Sequence, residues 1–235
     1  MDINQLPIRY DYYLHLADTW KQVLSQFDLA SKKVILDYLS GWSPKIPLSL
    51  LSTDFTGTLT AVDCDEHALV VYQKLAGPLL KNFHLSTYQA DTLIDSLPSC
   101  DLLIANHALE DLILFSKLGA NPLSNPYQSI DNFRQTWTDL ATSHPPLPTL
   151  AHQLASSFTE CLGDNGILLI SQYPSYQEKL YHITEPYTLS LELLNHLTSE
   201  LAKFGYHPRP ALSKKIISPI PKPYFSADHL HIFTH

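Results

Sequence analysis

At 235 residues, with 45% hydrophobic and 16% charged, the chain can bury one sizeable core, and a single domain over residues 1–235 is expected. A net charge of −8 and only three arginines (Arg9, Arg134, Arg209) disfavour nucleic acid as a partner, because gripping phosphates needs a basic surface that displaces counterions. No apolar run reaches membrane-span length, and MDINQLPIRYDYY lacks a basic segment followed by an apolar core, so the expectation is a cytoplasmic protein with no membrane segment.

An aromatic-rich helix around YDYYLHLADTWKQVLSQF is expected within an N-terminal helical segment, residues 1–30. Five β-like runs follow: VILDY (34–38), TLTAVD (58–63), FHLSTYQAD (83–91), DLLIANH (101–107) and GILLISQY (166–173). Their apolar residues run together without strict alternation, as in strands covered on both faces. Helical patterns separate them, which argues for a parallel sheet with crossover helices. DEHALVVYQKLAGPL starts acidic and stops near Gly77-Pro78. TLAHQLASSFTECLG sets Leu150, Leu154, Phe158 and Leu162 on one stripe before Gly163, and TLSLELLNHLTSELAKFG repeats this through Leu193, Leu194, Leu197 and Leu201 to Gly205. KFGYHPRPALSKKII and DHLHIFTH read as the two last strands.

Two segments break the alternation. Roughly 60 residues lie between the fourth and fifth strands, longer than an ordinary crossover. Residues 115–148 and 173–188, rich in proline, asparagine, serine and tyrosine, leave the sheet where open α/β sheets bind ligands. They read as a lid or acceptor pocket, or as solvent-exposed insertions.

Cys64, Cys100 and Cys161 form no paired spacing and read as thiols in a reducing compartment. His229 and His231 share a face of a β-like run but lack an identifiable third ligand, so no metal is expected. Asn125-Pro126-Tyr127 lies too far beyond the fourth strand to act at its end.

Chemistry gathers at the strand ends. VILDYLSGWSP places Asp37 at a strand end before a loop containing Ser40 and Gly41. TLTAVDCDEHAL places Asp63 at the next strand end, where a carboxylate can accept from two hydroxyls, and Asp65 where it can cap a helix. YQADTLIDSLPSCD follows with Ala90, Asp91 and Thr92, and with Asp95 as a solvated acid. CDLLIANHALEDL carries Asn106 and His107, and CLGDNGILLIS leads into the fifth strand.

In this order, from roughly Val34 to Ser171, the motifs resemble those of the class I S-adenosylmethionine-dependent methyltransferases. The resemblance implies a doubly wound, mostly parallel seven-stranded sheet with an antiparallel C-terminal strand pair and helices on both faces. It implies S-adenosylmethionine as cofactor, with Asp37, Ser40 and Gly41 around its methionine end. Leu39 and Ser43 stand where the family has glycines, so that a leucine there is expected to narrow the pocket or shift the cofactor. Asp63 would take the ribose hydroxyls, Cys64 and Ala90 would border the adenine, and Asp91 and Thr92 would address its polar edge. Asn106 would border cofactor and acceptor, and His107 either orients or deprotonates the acceptor or serves structurally. The implied activity is methyl transfer to a small molecule. The alternative is a catalytically silent member that binds a protein partner or acts as a scaffold. A nicotinamide-dependent oxidoreductase ranks third, because the loop lacks its glycines.

Overall fold

The computed structural model describes residues 10–90, 96–118, 126 and 129–235. Asp91, Thr92, Asp95, Asn125 and Tyr127 lie outside the described residues, as does part of the segment 115–148.

The chain runs α1 (Tyr10–Leu24), β1 (Val34–Tyr38), α2 (Lys45–Leu50), β2 (Thr58–Asp63), α3 (Glu66–Ala76), β3 (His84–Gln89), β4 (Leu102–Asn106) and α4 (Leu109–Leu118). It continues through α5 (Ile130–Ser143), α6 (Leu147–Leu162), β5 (Ile167–Ser171), α7 (Tyr176–Tyr181), α8 (Glu185–Lys203), β6 (His207–Pro208), α9 (Pro210–Ile217) and β7 (Leu230–Thr234). The seven strands lie in the order β3-β2-β1-β4-β5-β7-β6. The first five pair in parallel, and β7 runs antiparallel to both β5 and β6. This is the mixed α/β sheet expected from the sequence.

Two apolar layers cover it. Leu36, Leu103 and Ile170 face one layer with Trp137 of α5, Phe158 of α6 and Leu197 of α8. Ile35, Leu102 and Leu169 face the other with Trp20 of α1, Ile46 of α2 and Ile216 of α9. Neighbouring residues of one strand thus enter opposite layers, which is why β1, β4 and β5 carry unbroken apolar runs. Among the described residues no helix is long and apolar enough to cross a membrane.

Asp65 caps α3 by accepting from the His67 amide at 2.8 Å. At Gly57 the chain passes so near the Lys33 carbonyl that an added Cβ would lie 2.2 Å from its oxygen. Cys100 and Cys161, distant in sequence, are buried with sulfurs 3.9 Å apart, and the Cys100 amide donates to the Cys161 carbonyl at 2.9 Å.

The C-terminal reading needs correction. KFGYHPRPALSKKII is not a full strand: β6 is two residues long, and Pro210–Ile217 is helical. Pro208 and Pro210 supply no N–H to continue a ladder, while Pro210 has the φ preset for a helix N-terminus. The intervening segments are also more helical than their composition suggested. Ser129 caps α5 through the Asn132 amide, and Ser175 with Glu178 forms a capping box that starts α7. The expected third, fourth and fifth strands are each shortened at both ends.

Leu197 is fully buried between α8 and the sheet. Leu197→Ala is expected to cost about 2–5 kcal/mol by lost burial and a residual cavity. Denaturant unfolding measures this; a cost below about 1 kcal/mol would contradict the packing described.

Candidate functional site

β1 lies between β2 and β4, so the chain leaves β1 towards one side and returns through β4 on the other. The loops leaving β1 and β4 part at the strands' carboxyl ends, and by this topology the ligand-binding crevice of such a sheet lies there. Asp37, Asp63 and Asn106 stand at three of these ends.

Asp37 is completely buried. The Tyr72 hydroxyl donates to its Oδ2 at 2.8 Å, while its Oδ1 has no hydrogen-bond partner among the described residues. Burial raises its pKa from 3.8 to about 6, against the opposing pull of Lys45 and the Tyr72 bond. Lys45 is itself only 6% exposed, and its ammonium donates to the Ser40 carbonyl at 3.2 Å. Burial pushes the Lys45 pKa down, and Asp37, then Asp63 and Asp111, hold it up. A buried cation and a buried acid with an unsatisfied oxygen therefore share one wall of the crevice.

The loop after β1 folds onto the end of β2. The Ser40 amide donates to the Val62 carbonyl at 3.1 Å, and the Gly41 amide donates to Asp63 Oδ2 at 2.8 Å. Asp63 Oδ1 accepts from the Asp65 amide at 3.0 Å. Burial raises the Asp63 pKa, and these two amides oppose the rise. Each carboxylate oxygen has a second lone pair, so Asp63 retains accepting capacity. The Ala90 amide donates to the Asp63 carbonyl at 3.1 Å, and the Cys64 thiol lies 3.8 Å from Asp63 Oδ1.

Leu39 has φ +50 and Gly41 φ +59. The leucine thus adopts the left-handed form that a glycine takes freely, at a cost of roughly 1–2 kcal/mol. Its side chain joins the apolar layer, and burial worth about 1.5–3 kcal/mol offsets that strain. The glycine-like turn survives without the glycine.

At the end of β4, Asn106 Oδ1 accepts from Trp20 Nε1 at 2.7 Å, Ser171 Oγ at 2.8 Å and the Tyr173 hydroxyl at 3.4 Å. Its carbonyl end serves the fold. His107 has φ +58, and its Nε2 lies 2.8 Å from the Tyr173 carbonyl. A carbonyl only accepts, so Nε2 carries the proton in this bond. Burial lowers the His107 pKa to about 4, which leaves the ring neutral at pH 7. Around it stand Glu110, Gln172 and Glu178, all buried.

An aromatic wall adjoins this group. Tyr12 meets Tyr224 at 4.9 Å between ring centroids, Tyr224 meets Tyr173 at 5.2 Å, and Tyr173 meets His107 at 4.9 Å. Tyr13 touches Trp42 of the β1 loop at 5.7 Å, linking the wall to the Asp37 crevice.

Sequence reading missed Lys45, Gln172, Glu178 and this wall. Two signals were available. A lysine opening the mainly apolar KIPLSL can be drawn inward with it and then needs a charged partner, and S-Y-Q-E at 175–178 has the spacing of a capping box, which orders the buried Glu178. The tyrosines come from α1, the residues just beyond β5 and the C-terminal segment, and only folding assembles them.

No protein-family model matches the chain, and no curated protein matches it. Among solved structures it is similar to a putative O-methyltransferase from Nostoc punctiforme PCC 73102, at 11% identity and TM-score 0.52, covering 92% of this chain and 54% of that one. It is also similar to the S-adenosylmethionine-dependent methyltransferase SibL in its apo form, at 14% identity and TM-score 0.50, covering 91% and 54%. The chain thus spans about half the length of these structures. At such identities the likeness shows the fold.

The Asp37 pKa, raised on folding, gives this site a pH signature. Its contribution to stability is fully present below about pH 4 and is lost as pH rises through about 6. Tyr72→Phe removes a donor to the ionised form. It is expected to cost about 1.5–3 kcal/mol at pH 8 and about 0.5–1.5 kcal/mol at pH 5, where the acid is largely protonated. Paired unfolding curves at the two pH values check this, and equal costs would remove the buried-charge account.

Proposed function

From its class I S-adenosylmethionine-dependent methyltransferase fold, we propose that the chain binds S-adenosylmethionine and transfers its methyl group to a small-molecule acceptor. The observation that carries the reading is the unsatisfied Asp37 Oδ1 beside the buried Lys45 ammonium. An acid and a cation together in one crevice suit the two poles of an amino-acid zwitterion, such as the methionine end of the cofactor. Asp37 and the Ser40 carbonyl would hold the amino group, Lys45 the carboxylate, and Asp63 the ribose hydroxyls. Cys64, Ala90, Asp91 and Thr92 would border the adenine.

When bound, the sulfonium supplies the methyl group. The protein's task is to bind, align and keep water out, and alignment alone turns a bimolecular encounter into an effectively intramolecular one. The wall of Tyr12, Tyr173 and Tyr224 would seat the acceptor, with neutral His107 orienting it. Residues 115–148 and 173–188 of this single domain would close over the acceptor. The contact between Arg134 of α5 and the Tyr181 carbonyl of α7, at 3.3 Å, supports their acting together.

A second reading, a silent member serving as a binding or scaffold subunit, is favoured by one arrangement. Asp63 already accepts from Gly41 and Asp65, and Lys45 already occupies the Ser40 carbonyl.

Calorimetric titration with S-adenosylhomocysteine separates the two. Asp63→Ala is expected to weaken binding about ten- to hundredfold, from loss of a charge-assisted contact of about 1.5–3 kcal/mol. Lys45→Met is expected to weaken it similarly, with Glu192→Ala on the exposed side of α8 as an unchanged control. Binding that tightens in Lys45→Met would show the ammonium blocking the seat. Absence of binding to the folded wild type would favour the scaffold reading.

A further inference from the structure

Beside the aromatic wall, His107 Nε2, a carboxylate oxygen of Glu110 and one of Glu178 lie within 4.8 Å of one another. His107 Nε2 and Glu110 Oε1 are 3.3 Å apart. What distinguishes this group from a surface cluster of acids is burial, with Glu110 4% and Glu178 2% exposed.

Two carboxyl groups in contact inside a protein cannot both be ionised unless a cation stands between them. Glu178 accepts from two backbone donors: the Ser175 amide at 2.5 Å and the Tyr187 amide at 3.1 Å. Without a cation between them, such a pair is held together only by a shared proton. The protonated arrangement still leaves basic atoms in excess. Gln172, completely buried, donates its Nε2 to Glu110 Oε1 at 3.1 Å, while its Oε1 has no partner among the described residues. The Tyr173 carbonyl adds another oxygen 2.8 Å from His107 Nε2.

The geometry points to a divalent transition-metal site with His107 Nε2, Glu110 and Glu178 as ligands. Gln172 Oε1, after rotation of its amide, or the Tyr173 carbonyl would complete the shell. One imidazole nitrogen with two carboxylates suits zinc, cobalt or manganese, while magnesium and calcium prefer oxygen alone. The charges balance. The ion replaces the proton shared by the two carboxyls, which leaves to solvent, two carboxylates neutralise the two positive charges, and the imidazole binds through Nε2 with its proton moved to Nδ1. The site does not depend on the methyl-transfer reading.

The test uses the full chain without a histidine tag, stripped with a chelator and titrated with Co2+ by visible absorption and with Zn2+ by calorimetry. One equivalent is expected to bind, and Glu110→Gln and His107→Ala are each expected to weaken it about tenfold or more. Neither variant removes a member of the Ser175–Glu178 cap of α7, so circular dichroism should show both folded. His231→Ala, on β7, is expected to change nothing. Two results would overturn the site: no saturable uptake by the folded wild type at millimolar metal, or uptake that survives Glu110→Gln and His107→Ala.

Discussion

The Asn106 side-chain oxygen, Oδ1, receives donors from Trp20 of α1, Ser171 of β5 and Tyr173 just beyond it. These three bonds fasten the opening helix across the carboxyl ends of two neighbouring strands. Because Trp20 is completely buried, its N–H has no access to water, and losing its acceptor would cost about 1–3 kcal/mol. The aromatic wall depends on this knot, since Tyr12 lies two turns before Trp20 on the same helix. The Tyr224 amide also donates to Thr19, the residue next to Trp20, at 2.8 Å. A helix that precedes the sheet in sequence thereby becomes part of the crevice.

The crevice concentrates charge that the fold does not need for its own stability. Asp37 is held against a burial penalty, and Lys45 is held by the field of three acids and its bond to the Ser40 carbonyl. Interiors seldom keep such groups unless something compensates them. In the apolar layers the opposite economy holds, even to the point of tolerating a left-handed leucine. Strain in Leu39 is offset locally by the same side chain that causes it.

The framework of the fold was legible because burial on both faces leaves a plain mark. VILDY and TLTAVD match β1 and β2 to the residue, since each is a short run rich in β-branched and apolar residues with an acid at or next to its end. The acids Asp37 and Asp63 were legible for the same reason, as they interrupt those runs at their ends. PALSKKII misled because its apolar residues suit either period, and proline at the helix start decided the matter. Lys45 and Glu178 stayed hidden because their significance is their burial, which depends on residues far away in sequence. The pairing of Cys100 with Cys161 was likewise invisible, created by β4 lying beside β5.

The two-residue β6 has a consequence for how the molecule meets its surroundings. A full strand there would present an open row of amides and carbonyls to solvent, a template on which another chain could extend the sheet. Instead the chain pairs only at His207 and Pro208, donates once more from the Arg209 amide to the Ile232 carbonyl at 2.8 Å, and turns into α9. Two prolines with no N–H to offer and a helix laid along the margin leave little for an incoming strand to match. This end of the sheet is sealed against fibre-like growth.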